Sequence, residues 1–407
     1  MAAIAAVRTR LATFTGLSRS FGIFLAGLTI SKLGDALYIF ALPWIAYDLT
    51  GSAVVMGTLY ATEILPILLF GALAGVFVDR LDRRKLMITA DLLRALIVAV
   101  IPLLALLGLL QVWHLYVVAF SLALISLMFD VATTIAIPEL VGKDLTRANA
   151  AHQLIMQLGS MAGPALAGVV IAAAGGYGAM WFDALSFGGT LVAMLMLPAF
   201  KNAASGVTAR GVFAGMVEGF RWLWGNAVIK VLSLQAMIGN FGFGMVSAVL
   251  MFYLRNVLGL TSEISGLNYS MLGVGGVIGS LAILPLTRRF RRGQLYPAML
   301  LFGMAGLLIM ATVRTWWAPG LGFGMVSACN VAWVVLSTSV RQENIPSDLM
   351  GRVLSFTRVL STAAMPIGAT LGGFLIERFD PTIVFGIAAA TKLVEALIAR
   401  FSAMRSL

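Results

Sequence analysis

Ten ionisable side chains stand inside long apolar runs of this chain: Lys32, Asp35, Glu63, Asp91, Arg94, Asp130, Asp183, Arg358, Lys392 and Glu395. A charge in such a run is costly unless it is paired, hydrated or used. Three chemistries suit it: an ion pair that braces packing, a polar contact to a ligand, or a carboxyl that takes up and releases a proton. Lys32 and Asp35 are three residues apart, so they share one face of a helix. Asp91 and Arg94 have the same spacing, next to a cationic loop whose charge network they are expected to join. Lys392 and Glu395 have it too, and read as a pair on a peripheral helix. Asp130 stands alone on its run, and Arg358 is a candidate to face it.

Other chemistries find no residues to carry them. One cysteine, Cys329, and two histidines, His114 and His152, cannot build a metal site, and a disulfide within one chain is excluded. There is no phosphate-cradling loop and no nucleophile–base set. A membrane-embedded enzyme would need catalytic groups converging at the interface, and none is recognisable. No cofactor is expected.

The elements that hold these charges follow from composition. Of 407 residues, 60% are hydrophobic and 11% charged, with a mean hydropathy of +0.98. A soluble domain carries roughly 25% charged residues. Apolar runs of about 20 residues recur throughout, which implies a polytopic helical membrane protein and excludes a barrel of alternating strands. The expected spans are 21–47, 54–77, 87–110, 114–137, 151–173, 177–198, 228–254, 264–286, 295–313, 317–340, 352–376 and 381–402. The charged start followed by an apolar run is read as a first, uncleaved span. With the loops assigned alternately, one side of the membrane holds 21 Lys and Arg and the other three, Arg255, Arg314 and Arg378. The positive-inside rule then places both termini in the cytoplasm. It also accounts for the net charge of +11 without a nucleic-acid partner.

The loop after the sixth span divides the chain into an N-terminal half, 1–199, a cytoplasmic linker, 200–227, and a C-terminal half, 228–407. Val212, Met216, Phe220 and Leu223 give the linker an amphipathic helix suited to the inner membrane surface. A repeat at an offset of 205 residues takes Arg147, Gly163 and Gly168 onto Arg352, Gly368 and Gly373. Gly-x-x-x-Gly pairs fall in spans 2, 5, 8 and 11: Gly71 and Gly75, Gly159 and Gly163, Gly275 and Gly279, Gly368 and Gly372, with one exception, Gly320 and Gly324, at the outer end of span 10. Small residues four apart let helices approach closely in lipid, and a recurrence every third helix fits nested three-helix repeats.

Two stretches carry a family resemblance. Gly75-Val76-Phe77-Val78-Asp79-Arg80-Leu81-Asp82-Arg83-Arg84-Lys85 resembles the loop signature after the second helix of major facilitator superfamily transporters, with Asp82 where that pattern usually has glycine. Gly159-Ser160-Met161-Ala162-Gly163-Pro164-Ala165-Leu166-Ala167-Gly168 is similar to the span-5 signature of its exporters, with Ala167 in place of one glycine. Asp48-Leu49-Thr50-Gly51-Ser52-Ala53 and Gly351-Arg352-Val353 resemble the drug:proton antiporter branch that contains macrolide-efflux proteins and the enterobactin exporter. The arginine signature of span 4 in other antiporters is missing.

The resemblance implies an all-α polytopic membrane protein of twelve transmembrane helices in two pseudo-symmetric six-helix halves, the major facilitator fold. It implies export of a small amphipathic molecule (a drug, macrolide or siderophore-like compound) by alternating access, with the proton gradient as energy source. A lysophospholipid flippase or an uncoupled facilitator of the same fold is the alternative. The expected partners are that substrate and membrane lipid, and the chain is expected to act as a monomer in the inner (plasma) membrane. Span 1 lines the cavity of such a fold, so Asp35 and Lys32 lead the coupling candidates, with Asp130 and Arg358 next. Gly75, Asp79, Arg80, Arg83, Arg84, Asp91 and Arg94 form the conformational switch loop, which holds the inner ends together when the outer side is open. Gly159, Gly163, Pro164 and Gly168 form the bent interface helix.

Overall fold

The computed structural model describes residues 18–141, 145–197, 209–346 and 349–402. Helix α1 (Arg19–Thr50) starts at Ser18, whose hydroxyl accepts from the Phe21 amide at 3.2 Å. It is followed by α2 (Ala53–Val78), α3 (Arg83–Leu106) and α4 (Val112–Val141). The helical run Leu145–Met196 holds two crossings, because Gly175 breaks it at φ 73°, ψ 172°, a conformation open to glycine alone. Its arms are α5 (145–174) and α6 (176–196). Helix α7 (Ala209–Gly225) precedes α8 (Ala227–Phe252), α9 (Ser262–Arg289), α10 (Arg292–Thr312) and α11 (Ala318–Asn344). One bent crossing comprises α12 (Met350–Thr362) and α13 (Ala364–Arg378), and α14 (Pro381–Phe401) ends the bundle. Among the described residues eleven runs are long and apolar enough to cross a membrane, and the break at Gly175 makes the longest of them two, which gives the twelve expected. The cations Arg8, Arg10, Lys143, Lys201 and Arg405 lie outside the described residues.

Within the first six crossings α1 packs on α5 and α6, α2 on α4, and α3 on α4 and α6. Within the last six α8 packs on α13 and α14, α9 on α11, and α10 on α11 and α14. The offset of 205 residues relates real contacts. A Cβ on Gly163 would meet Ala36 of α1, and one on Gly368 would meet the Phe241 carbonyl of α8; Ala36 and Phe241 are themselves 205 apart. The other paired glycines differ. Gly275 and Gly279 pack on Gly324 and Ala328 of α11, whereas Gly71 and Gly75 touch almost nothing.

The buried cores show how the two sets of helices meet. At the cation-poor end one core is shared, with Phe40, Ile45 and Met56 packed among Met245, Leu250 and Phe323. At the cation-rich end there are two separate cores. One holds Phe21, Met87, Phe129 and Met194, and the other Leu223, Leu295, Val340 and Val353. The bundle is therefore sealed at one end and cleft at the other. Helix α7 buries Leu223 in the second core and rests on α12, with Phe220 and Phe356 ring centroids 5.2 Å apart. Its neighbouring stripe of Phe213, Val217 and Trp224 is exposed. In the α13–α14 turn, Asp380 caps α14; hydrogen bonds from Thr382 and then Arg314 pull its carboxyl down to about 2, so the cap stays ionised near neutral pH.

Candidate functional site

The cleft between the two sets opens into a cavity of about 380 Å³ bounded by α2, α4 and α12, with Leu68, Gly71, Asp130, Thr134, Arg358 and Thr362 on its walls. Beside it the Lys32 ammonium lies 2.9 Å from Asp35 Oδ2 and 3.3 Å from Asp130 Oδ1. One cation on α1 thus serves two carboxylates, one on its own helix and one on α4. The group carries a formal charge of −1. Lys32 is 14% exposed, Asp35 23% and Asp130 57%, and of the two carboxylates Asp130 faces the cavity, with the ammonium tucked behind it. Asp130 and Arg358 line the same cavity, but the partner of Asp130 is Lys32. Arg358 sits across the open cleft with no ion pair among the described residues.

Two further carboxyls lie close to this group, and the sequence reading did not select them. Asp183 on α6 is fully buried, and both its oxygens are without a hydrogen-bond partner. It is pressed against α1 beside Gly34, where an added Cβ would stand 2.7 Å from its Oδ1. Glu63 on α2 faces the buried Tyr38 of α1. Both were visible as charges in apolar runs, but nothing in their spacing showed that they turn toward the same region as Asp35.

The switch-loop residues anchor helix ends. Asp79 closes α2, its amide bonded to the Gly75 carbonyl at 3.0 Å. Asp82 is the N-cap of α3, accepting from the Lys85 amide at 3.1 Å, which gives the departure from the family glycine a physical reason. Arg83 pairs with Glu139 near the end of α4, and Arg84 donates to the Met194 and Leu195 carbonyls at 2.9 and 3.0 Å. These are the last carbonyls of α6, where a cation satisfies both orphan acceptors and the helix dipole. Arg80 is exposed. Asp91 and Arg94 pair with each other, fully buried; the Arg94 guanidinium lies 4.0 Å from the Phe129 ring centroid and 4.4 Å from that of Phe187. The pair braces α3 against α4 and α6, and its ion pairing is internal to α3. Lys392 and Glu395 also pair, at 3.1 Å, on the inward face of α14, whose outer face exposes Leu393, Val394 and Leu397. The two charged residues are 3% and 2% exposed because they turn inward toward α8 and α11, where Lys392 meets Asn330 and Gln235 donates to the Glu395 carbonyl.

The interface helix meets its neighbours as a backbone surface. A Cβ on Gly159 would lie 3.7 Å from the Lys32 carbonyl, and Gly163 abuts Ala36. Farther along α5 the contact passes to the other set of helices. A Cβ on Gly266 of α9 would lie 2.4 Å from the Pro164 carbonyl, and one on Gly168 would lie 2.4 Å from the Ser262 carbonyl. Across the bundle, Gly57 of α2 and Gly373 of α13 are as tightly placed, against the Ala369 and Ala53 carbonyls. Polar contacts complete this seal. Arg255 binds Asp48 at 2.6 Å and stacks 3.7 Å from the Trp44 ring centroid, while Tyr47 donates to Asn256 at 3.0 Å. Glu377 of α13 accepts from Ser52 and from the Val54 amide, so it neutralises the N-terminus of α2 from the opposite set.

A two-layer seal, a cleft at the other end and a charged cavity between them make a transport pathway. The family model for transmembrane secretion effectors matches residues 12–407. The chain belongs to that family. The transporter is 29% identical over 399 residues to the multidrug efflux pump Tap of Mycolicibacterium fortuitum, covering 93% of this chain and 94% of that one. It is 25% identical over 363 residues to macrolide efflux protein A of Streptococcus pyogenes, covering 87% and 88%. A bacterial homologue of the iron transporter ferroportin in its inward-facing state superposes with a TM-score of 0.71 at 19% identity, over 94% of this chain and 98% of that one. The outward-facing form of a bacterial ferroportin homologue gives 0.58 at 20% identity, over the same shares. The protein is thus a multi-pass efflux transporter of the major facilitator type, with the two six-helix sets of that fold, and it is not an enzyme.

Proposed function

We propose that this transporter exports a small amphipathic molecule of the drug or macrolide kind in exchange for protons. The two halves, 1–199 and 228–407, rock about the α5–α9 and α2–α13 seams, and the cytoplasmic linker 200–227 ties them through α7. The observation that carries this reading is the single Lys32 ammonium shared by Asp35 and Asp130 at the mouth of a cleft whose far end is sealed. A proton on Asp35 weakens its hold on Lys32; release of that proton restores the pair. The paired geometry is then the proton-released form, with the cavity open to cytoplasmic substrate. The cavity of about 380 Å³ lies in the range of small-molecule sites, roughly 300–1,000 Å³. A monomer is the proposed working unit.

Purified protein in vesicles tests the energy source. An imposed pH gradient should drive accumulation of a macrolide, and collapsing the gradient should leave only downhill flux. Flux that only equilibrates the macrolide, whether or not the gradient is imposed, would leave an uncoupled facilitator.

Orientation is proposed from the 21 cations against three: the cleft faces the cytoplasm of the plasma (inner) membrane. With Cys329 replaced by serine, a cysteine at position 52 should react with an impermeant thiol reagent added outside, and one at 205 (outside the described residues) should not. The reverse pattern would invert the topology.

The same account gives Asp79 a role in the other state. When the cleft closes, the loop from Asp79 to Lys85 is brought to the opposite half, and a charge-assisted bond there is worth about 1.5–3 kcal/mol. Asp79→Asn should move the balance roughly tenfold toward the cleft-open form with expression retained. Spin-label distances across the cation-rich end measure this, and an unchanged distribution would exclude the role.

A further inference from the structure

A second cavity, of about 340 Å³, lies wholly within the C-terminal helices, between α8, α11, α12 and α14. Arg358 lines both cavities, so the two share a wall. The second contains polar groups whose hydrogen-bonding capacity is unmet, although the Arg341 guanidinium lies 5.7 Å from the Trp333 ring centroid. Gln235 is fully buried with Oε1 unpartnered, although its Nε2 is used. Trp333 Nε1 is a buried donor with no acceptor. Arg341, near the end of α11, has both Nε and Nη2 buried and unbonded. Such donors cost free energy when left unmade, and the cost is larger for a charged group.

The charge count decides what would satisfy them. Lys392 and Glu395 neutralise one another. Arg341 and Arg358 remain, and neither has an ion-pair partner among the described residues. Unmet donors therefore outnumber unmet acceptors, and the cavity carries a formal charge of +2. The Lys32 group across the cleft carries −1. We propose that the second cavity binds an oxyanion, a carboxylate or phosphate group, held by the guanidinium groups of Arg341 and Arg358 with the Trp333 N–H beside them. The oxyanion belongs either to the transported molecule or to a lipid headgroup entering from the cation-rich end. This adds a substrate class to the transport reading above, and binding at rest scores it independently of proton coupling.

The test uses the full chain in phosphatidylcholine nanodiscs and two probes of equal shape, 1-naphthoate and 1-naphthamide. The carboxylate should bind roughly tenfold or more tightly than the amide. Arg341→Gln and Arg358→Gln should each bring that ratio close to one, while Arg378→Gln, at the other end, should leave it. Arg341→Lys and Arg358→Lys keep the charge without the planar fork, so they provide a graded loss should a glutamine variant fail to fold. A second arm replaces part of the lipid with phosphatidylglycerol. A several-fold weakening of naphthoate that disappears in Arg341→Gln assigns the site to a lipid phosphate; no weakening assigns it to a dissolved anion. Equal binding of naphthoate and naphthamide, or a preference that survives both glutamine variants, overturns the proposal.

Discussion

Asp35→Asn protein will bind substrate and exchange it downhill, yet its accumulation ratio under an imposed pH gradient will fall to about one, because a ligand moves an equilibrium only through unequal interaction with the two states. Asparagine keeps the shape of the side chain while removing the charge that holds Lys32. The Lys32 ammonium keeps Asp130 at 3.3 Å, so the helices remain tied and the cavity persists. What disappears is the alternation between a paired carboxylate and a protonated acid. A pair that only braced α1 would give a different result: reduced expression or stability, with coupling intact in the protein that remains. If the mutant still concentrates substrate, Asp35 is not the coupling group. Asp130 is then next in line, followed by Asp183, which lies against α1 with no bonded partner.

The second large effect is expected from Gly266→Val. The first carbon of any side chain there would lie 2.4 Å from the Pro164 carbonyl, a backbone atom that cannot rotate away. The seam between α5 and α9 must part for the substitution to be accommodated. Overpacking of this kind costs about 1–3 kcal/mol or more, and here the cost falls only on the form with the cation-poor end closed. The population should therefore shift toward the opposite opening by roughly fivefold to a hundredfold, with export falling in step. Spin labels at Leu109 and Trp316, both exposed at the cation-poor end, should move apart. Gly75→Val should behave oppositely. Gly75 has open space beside it in this form, and its turn to be crowded comes when the cleft closes. Unchanged distances in Gly266→Val would mean that the seam is not a moving part.

What the sequence could disclose follows from the range of the interactions. Hydropathy is averaged over about 20 neighbouring residues, so all twelve crossings could be read, including the two joined at Gly175. Spacings within a helix were also legible: Lys32 with Asp35, Asp91 with Arg94, Lys392 with Glu395, all at i,i+3. Contacts between distant helices leave no local pattern. Arg255 looked like a routine loop cation, yet it binds Asp48 207 positions earlier. Gly57 and Gly266 belong to no Gly-x-x-x-Gly pair, and both carry the seal. The paired glycines were read as one class and divide into two. Those of α5 and α13 pack helices within a half, whereas Gly71 borders the open cleft and Gly75 has open space beside it. Their packing depends on which end is closed, and one sequence serves both states. The burial of Lys392 and Glu395 was missed because the direction a helix face turns depends on neighbours that the sequence does not order.

The central claim is that substrate and proton move in opposite directions through one site, and substrate-driven proton movement tests it most directly. Vesicles holding the protein and a pH-sensitive dye, with no pH gradient imposed, would be given a macrolide gradient that runs through the transporter. The account predicts proton flow opposite to the substrate in the wild-type protein, and substrate flow without proton flow in Asp35→Asn. Substrate flow with no proton movement in the wild-type protein, or undiminished proton movement in Asp35→Asn, would contradict it.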